Sequence, residues 1–179
     1  MIYFLAAGLL ISLGLRRNPL RSLEAVVGLR GSWLILLGFA TQIGLDVAMR
    51  SSGASAPALF QLSLLPVLTA MLLNWKRPGF RLLIAGCALN IVALSLNGGR
   101  MPVSVPALEL AGLAHLSDMS SSVRHQPMTG DHVAWLGDWI PILVPFGTNY
   151  VWSPGDVLLG LGIIIFLVRS SKEGGETRV

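Results

Sequence analysis

The apolar positions of this chain come in long blocks, not in the alternation of a half-buried strand or the three-or-four spacing of an amphipathic helix. The blocks are Met1 to Leu15, Gly31 to Met49, Pro57 to Trp75, Phe80 to Asn97 and Ser153 to Val168, and each reads as a helix. Most approach the ~20 residues that a helix needs to cross the hydrocarbon of a bilayer. The first is short: at ~1.5 Å per residue it reaches only ~22 Å, so it must sit in a thinned region or recruit residues of the next segment. No basic stretch precedes it and Arg16-Arg17 follows it, the reverse of the flanks of a secretory signal. Asn18-Pro19 is expected to end this helix, and Pro66 to kink the third block. Leu20 to Arg30 reads as an amphipathic linker lying along a membrane surface.

Charge fixes a direction for this pattern. Ten of the thirteen Lys and Arg residues lie in three groups flanking apolar blocks: Arg16, Arg17, Arg21 and Arg30; Lys76, Arg77 and Arg81; Arg169, Lys172 and Arg178. Basic loops are retained in the cytoplasm, so these groups place three connections inside. The fold expected is therefore an all-α polytopic transmembrane bundle of about five spans, N-terminus out and C-terminus in, in the cytoplasmic (inner) membrane. Residues 1–97 form its four-helix membrane part and 98–152 an extracytoplasmic interfacial cap. The last helix covers 153–169, and 170–179 is a disordered cytoplasmic tail. Composition agrees: 53% of residues are hydrophobic and 12% charged, against roughly 25% charged in an ordinary soluble domain. The net charge of +4 carries no basic patch with interleaved aromatics, which excludes nucleic acid as a partner.

Between the fourth and fifth blocks the chain changes character. Ser104-Val105-Pro106 opens a capped, apolar short helix running to Leu116. Ser117 to Gly130 reads as loop, His132 to Ile140 as a second short helix, and Pro141 to Trp152 as irregular backbone rich in interfacial rings. Ser153-Pro154-Gly155-Asp156 then supplies an N-cap, a proline at the first helical position and a carboxylate at the third.

Two carboxylates stand out, Asp138 and Asp156, 18 positions apart among segments that avoid charge. Brought together, they would repel; one pKa would rise, and the pair would supply an acid and a base for water activation. The plainer reading is that Asp156 caps its helix while Asp138 faces water or pairs with Arg100. Asn97-Gly98-Gly99-Arg100 reads as a helix end with left-handed glycines, Asn97 and Arg100 giving polar support or anchoring a phosphate or carboxylate. Asp46 stands one turn before Arg50, the spacing of an ion pair. Gln42, Gln61 and Asn90 read as interhelical hydrogen-bonding contacts, and Gly155, Gly160 and Gly162 as sites of close packing. His115, Asp118, His125, Asp131 and His132 share one loop but match no compact metal motif, so no metal is assigned. No cofactor fingerprint occurs, and Cys87 is the only cysteine, so no disulfide forms within the chain.

With Asn97-Gly-Gly-Arg-Met-Pro, Leu136-Gly-Asp and Ser153-Pro-Gly-Asp156, the chain resembles a bacterial membrane-protein family of unknown function over most of its length. From Leu136 to Leu167 it also resembles the C-terminal part of lipoprotein signal peptidase, an intramembrane aspartyl protease of lipid-modified precursors. That second resemblance implies catalytic roles for Asp138 and Asp156. The chain departs from it where Ser153-Pro154-Gly155 replaces the family's asparagine, and where a long insertion separates Asn97 and Arg100 from Asp138.

Two functions are thus expected. The leading one is a non-catalytic accessory subunit or a lipid- or protein-binding module with its contact surface on the outer face. The alternative is an aspartyl hydrolase using Asp138 and Asp156 on a lipid-anchored substrate. Partners are the lipid bilayer and, with it, another membrane protein or that substrate.

Overall fold

The structure, a computed structural model, describes residues 2–15, 18–52, 57–119, 122, 124–128, 134–144 and 147–171. Arg16, Arg17, Asp131, His132 and the expected tail from 172 lie outside the described residues, as does the side chain of Arg50.

Two helices form the centre. Helix α6 (Phe80–Leu96) and helix α8 (Pro154–Ser170) make the most extensive contact in the molecule. They run antiparallel, Gly79 lying against Gly162 and Gly86 against Gly155. Glycine is required at both crossings, because a Cβ on Gly86 would stand 2.9 Å from the Leu159 backbone nitrogen. The close-packing role expected for Gly155 and Gly162 is therefore met. Phe80 and Phe166 lock the far end edge to face, ring centroids 5.4 Å apart.

Helix α1 (Ile2–Gly14) lies beside α8 and parallel to it, with Gly8 under Leu167. Helix α2 (Pro19–Val27) crosses α8 and is held by Arg77, which donates to the Ala25 and Gly28 carbonyls at 3.2 and 2.6 Å. Asn18-Pro19 starts this helix as well as following the first: Asn18 caps it, and Pro19 takes the tolerated first position. Helix α3 (Ser32–Ser52) packs on α5 (Leu64–Leu73), Gly38 against Val67.

The all-α bundle of about five spans is corrected by this architecture. Among the described residues, one helix is long and apolar enough to cross a membrane, the Ser32–Met49 part of α3, with mean hydropathy 1.5. Proline explains one failure. Pro66 cannot donate to the Leu62 carbonyl and its ring crowds it, so the third block is interrupted at Ser63, between α4 (Pro57–Leu62) and α5, where the expected kink falls and Ser63 keeps helical angles. The other blocks are stopped by their caps. Gly98 and Gly99 take left-handed φ values of 63° and 83°, and Gly99 N–H closes on the Leu94 carbonyl at 2.8 Å, ending α6. The Ser153 capping box starts α8 at Pro154. Helices α6 and α8 are 17 residues each, which is ~25 Å.

Nor is the segment after α6 helical throughout. Helix α7 (Val105–Leu110) forms with Ser104 as its N-cap, but the apolar run does not continue it to Leu116. Strand β1 (Met101–Val103) pairs in parallel with β2 (His125–Pro127). Where a helix to Ile140 was expected, a single 3₁₀ turn (Ala134–Leu136) precedes strand β3 (Ile140–Ile142). Strand β3 pairs antiparallel with β4 (Tyr150–Trp152), so the two ends of the stretch from Pro141 to Trp152 are paired strands, while the described residues between them are irregular as expected. Tyr, Trp, Val and Ile suit a pleated surface, and three residues per strand were too few to declare themselves as a period.

The glycine crossing makes a direct prediction. Gly86→Leu is expected to cost at least ~3 kcal/mol, because backbone of α8 cannot yield to the new side chain. Thermal unfolding by circular dichroism checks it, with Gly44→Leu, where the added group meets open space, as the control.

Candidate active site

Asp138 is placed by backbone pairing. Its N–H donates to the Pro102 carbonyl at 2.8 Å, and its own carbonyl accepts from Ser104 N–H at 2.8 Å. This parallel bridge fixes Asp138 beside Val103 on β1, while His125 stands opposite Met101 on the β2 side. One residue later Trp139 N–H donates to the Trp152 carbonyl, and Trp152 directly precedes the N-cap of α8. The β3–β4 hairpin therefore delivers Asp138 to the end of α8 that carries Asp156.

Asp156 is fully engaged. Its Oδ1 accepts from Asn90 Nδ2 at 3.0 Å, and its Oδ2 accepts from Ser153 N–H at 3.3 Å. The ring closes through Ser153: its Oγ accepts from Asp156 N–H at 3.0 Å and donates to Asn90 Oδ1 at 2.9 Å. Asn90 thus makes the interhelical contact expected of it. The carboxylate also sits at the positive end of the helix dipole.

Asp138 is its opposite. Only 8% of its surface is exposed, and its Oδ1 has no hydrogen-bond partner among the described residues. Burial pushes its carboxyl up to about 8, and the negative charge of Asp156 adds to the rise. No hydrogen bond between the two carboxyls is among those described; what joins them is the field. Asp138 lines a cavity of about 420 Å³ whose walls include Val103, Leu108, Met119, Tyr150 and His125. That volume and apolar lining suit a small ligand or one limb of a larger one.

His125 completes the site, with Nε2 at 4.0 Å from Asp138 Oδ2. Burial holds its pKa below the usual value and the Arg124 charge lowers it further, against an upward pull from Asp156. Arg124 is tied in turn to Asp46, Nε to Oδ1 at 3.6 Å, and lies over the Phe60 ring at 4.1 Å. Asp46 thus meets a residue 78 positions away, a partner that helical spacing could not suggest.

The other expected site residues, Asn97 and Arg100, do not line this cavity. Asn97 caps α6, its Nδ2 donating to the Ala93 carbonyl at 2.7 Å. Arg100 is half-buried just before β1 and makes its interactions within the protein. His115 and Asp118 line the same cavity as His125, yet no group of three metal-ligating side chains gathers among the described residues. The sequence places His125 in a loop and assigns it no ligand; its place beside Asp138 depends on the parallel pairing of β1 and β2, for which the chain carries no local signal.

The two titrations oppose each other and predict a pH window. Folded Asp138 holds its proton up to about pH 8, against 3.8 unfolded, so between those values folding takes up a proton and stability falls as pH rises. His125, lowered from 6.5, costs stability only as pH falls through that value. From pH 6.5 to 8 Asp138 therefore governs, and unfolding free energy is expected to drop by about 1.5 kcal/mol. Denaturant titrations at the two pH values check this; Asp138→Asn should flatten the difference.

Comparison with known proteins adds kinship without an activity. An uncharacterized protein of Thermotoga maritima is 37% identical over 103 residues, covering 55% of this chain and 56% of that relative. The chain thus spans little more than half the length of the relative it matches. No solved structure matches it significantly. Residues 26–168 match the family of unknown function DUF5317, a stretch that takes in Asp138, Asp156, Asn90 and His125, and the chain belongs to that family.

Proposed function

We propose that the protein is a hydrolase in which Asp138 and Asp156 act as an unequal pair of carboxyl groups on a lipid-anchored substrate. The observation that carries this reading is the state of Asp138. It is a buried acid that keeps its proton at neutral pH, with Oδ1 buried and unpartnered on a side chain that lines an apolar cavity. A carboxylic acid in that state donates a hydrogen bond or a proton. Asp156, oriented by Asn90 and Ser153, is the acceptor. In the reaction, water seated between the two carboxyls adds to the substrate carbonyl and passes its proton to Asp156. Asp138 protonates the leaving group as the bond to the carbonyl carbon breaks, and proton transfer from Asp156 to Asp138 restores the pair. The apolar cavity receives the substrate's hydrocarbon portion. The resemblance of Leu136 to Leu167 to lipoprotein signal peptidase supports the same assignment.

A second reading, a lipid- or protein-contacting module at the cytoplasmic membrane, is favoured by α3. Trp33, Leu36, Phe39, Ile43 and Val47 are all exposed on it, and only 11% of its apolar window is buried. At 21 residues it spans ~31 Å, the thickness of bilayer hydrocarbon. Beside its first turn, where Arg30 N–H donates to Asn74 Oδ1, Trp75 carries Lys76 and Arg81 over its ring at 5.6 and 5.7 Å. Aromatic and basic side chains of this kind favour the headgroup region. The two readings are compatible, since a lipid-anchored substrate is met at a membrane.

Mass spectrometry of peptide release from a diacylated lipopeptide in detergent micelles tests the hydrolase. Asp138→Asn and Asp156→Asn are each expected to lower kcat/KM by about 10²- to 10⁴-fold. Activity should also decline as pH rises through about 8, where Asp138 loses its proton. Wild-type rates in both variants would overturn the reading. For the second, the protein is expected to float with anionic vesicles, and Leu36→Glu with Ile43→Glu to abolish flotation; unchanged flotation of the double variant removes α3 as the contact.

A further inference from the structure

His125, with Nε2 at 4.0 Å from Asp138 Oδ2, is a polar group that the mechanism above leaves idle, and three observations converge on it. The first is placement. Strand β1 is paired on both sides, in parallel with β2 at Met101 opposite His125 and by the bridge from Val103 to Asp138. Two segments remote in sequence are thus held in register through one short strand. The second is the geometry of the carboxyl. Oδ2 stands 4.0 Å from His125 Nε2, while Oδ1 has no partner among the described residues and the side chain lines the cavity. The third is anchorage. His125 N–H donates to Ser122 Oγ at 3.1 Å, and the neighbouring Arg124 is fastened to Asp46 and Phe60. The histidine is carried on a tethered strand.

We infer that His125 is a positioning residue for Asp138: its imidazole faces Oδ2 and so leaves Oδ1 as the oxygen that carries the proton. This inference rests on the hydrolase reading for its kinetic consequence and on the geometry alone for its titration. At 4.0 Å the pair is beyond hydrogen-bond range, so a bridging water, or the small approach that a bound substrate brings, completes the contact. A neutral imidazole with its proton on Nε2 donates toward Oδ2. The carbonyl oxygen of the acid is then turned to the histidine, and the hydroxyl is the buried Oδ1. When Asp138 has given up its proton, the same N–H steadies the carboxylate that remains. The charged groups that act on this pair are Arg124, just before the strand, and Asp156 at the start of α8; His115 and Asp118 line the same cavity.

The test uses His125→Ala, His125→Phe and His125→Gln in the full chain. Alanine removes the ring, phenylalanine keeps its bulk without a donor, and glutamine restores an N–H near the place of Nε2. Infrared difference spectroscopy of the Asp138 carboxyl, identified by its loss in Asp138→Asn, follows the titration without any substrate. Alanine and phenylalanine are expected to raise the Asp138 midpoint by about one pH unit, and glutamine to return it toward wild type. On the lipopeptide substrate the first two variants should lose kcat by about 10²-fold with KM little changed, and the alkaline limb of the pH profile should move with the infrared midpoint. A titration and alkaline limb unmoved by both alanine and phenylalanine overturn the inference. If hydrolysis persists in those variants and disappears in Asp138→Asn, the hydrolase reading survives that failure. If no hydrolysis occurs in any form while the titration still shifts, the positioning role stands and the hydrolase reading falls.

Discussion

The structure depends on how closely α6 and α8 approach. Where Gly86 meets Gly155 the two backbones lie nearly in contact, and a side chain at either position would have to displace the other helix. That approach has a chemical result. Asn90, one turn beyond Gly86, is brought near enough to α8 to hold both Ser153 and Asp156. A pair of helices separated by ordinary side chains would stand 8–10 Å apart between axes. Asn90 would then not close the ring, and Asp156 would be a helix cap and nothing more.

From this fixed point the remaining geometry follows by strand pairing. Trp152 is the last residue of β4 and the neighbour of the Ser153 cap, so whatever pairs with β4 is brought to the head of α8. The chain that pairs there carries Asp138. Its opposite side is clamped to β1, which leaves α6 through the Gly98-Gly99 turn, and the contact of Ala93 and Leu94 with Met101 and Leu136 seals that corner with apolar side chains. Both carboxyl groups are thus referred to the same two helices by separate routes.

Legibility in the sequence followed the range of the interaction. Local chemistry was readable: the Ser153-Pro154-Gly155-Asp156 box, the Ser104 cap and the left-handed glycines at 98 and 99 all formed where their side chains and missing side chains require. The apolar blocks were readable as helices but not as spans. Hydropathy does not register that Pro66 deprives the Leu62 carbonyl of its donor, or that α6 and α8, at 17 residues each, stop short of a full crossing. Asp138 and Asp156 could be singled out because carboxylates are rare among such segments. The hairpin that unites them could not, since Ile140–Ile142 and Tyr150–Trp152 are strands of only three residues, the first with a proline at its centre. His125 was the least visible, for its role is a product of the β1–β2 register alone.

The inequality of the two carboxyl groups is the feature that a purely structural role leaves unexplained. A cap needs its acceptor satisfied, and Asp156 meets that need with two donors. A buried carboxyl kept for stability would be satisfied in the same way, because an unpaired buried acceptor costs about 1–3 kcal/mol. Asp138 instead keeps Oδ1 without a partner, beside a second negative charge and against a cavity wall. The backbone around it is not loose: both of its peptide groups are bonded to β1 at 2.8 Å. The chain therefore spends two strand contacts on holding an acid where its proton is costly to lose and one oxygen is buried without a partner, on a side chain that lines a cavity. That combination suits an acid that gives its proton to something entering the cavity, and it gives nothing to the stability of an empty one.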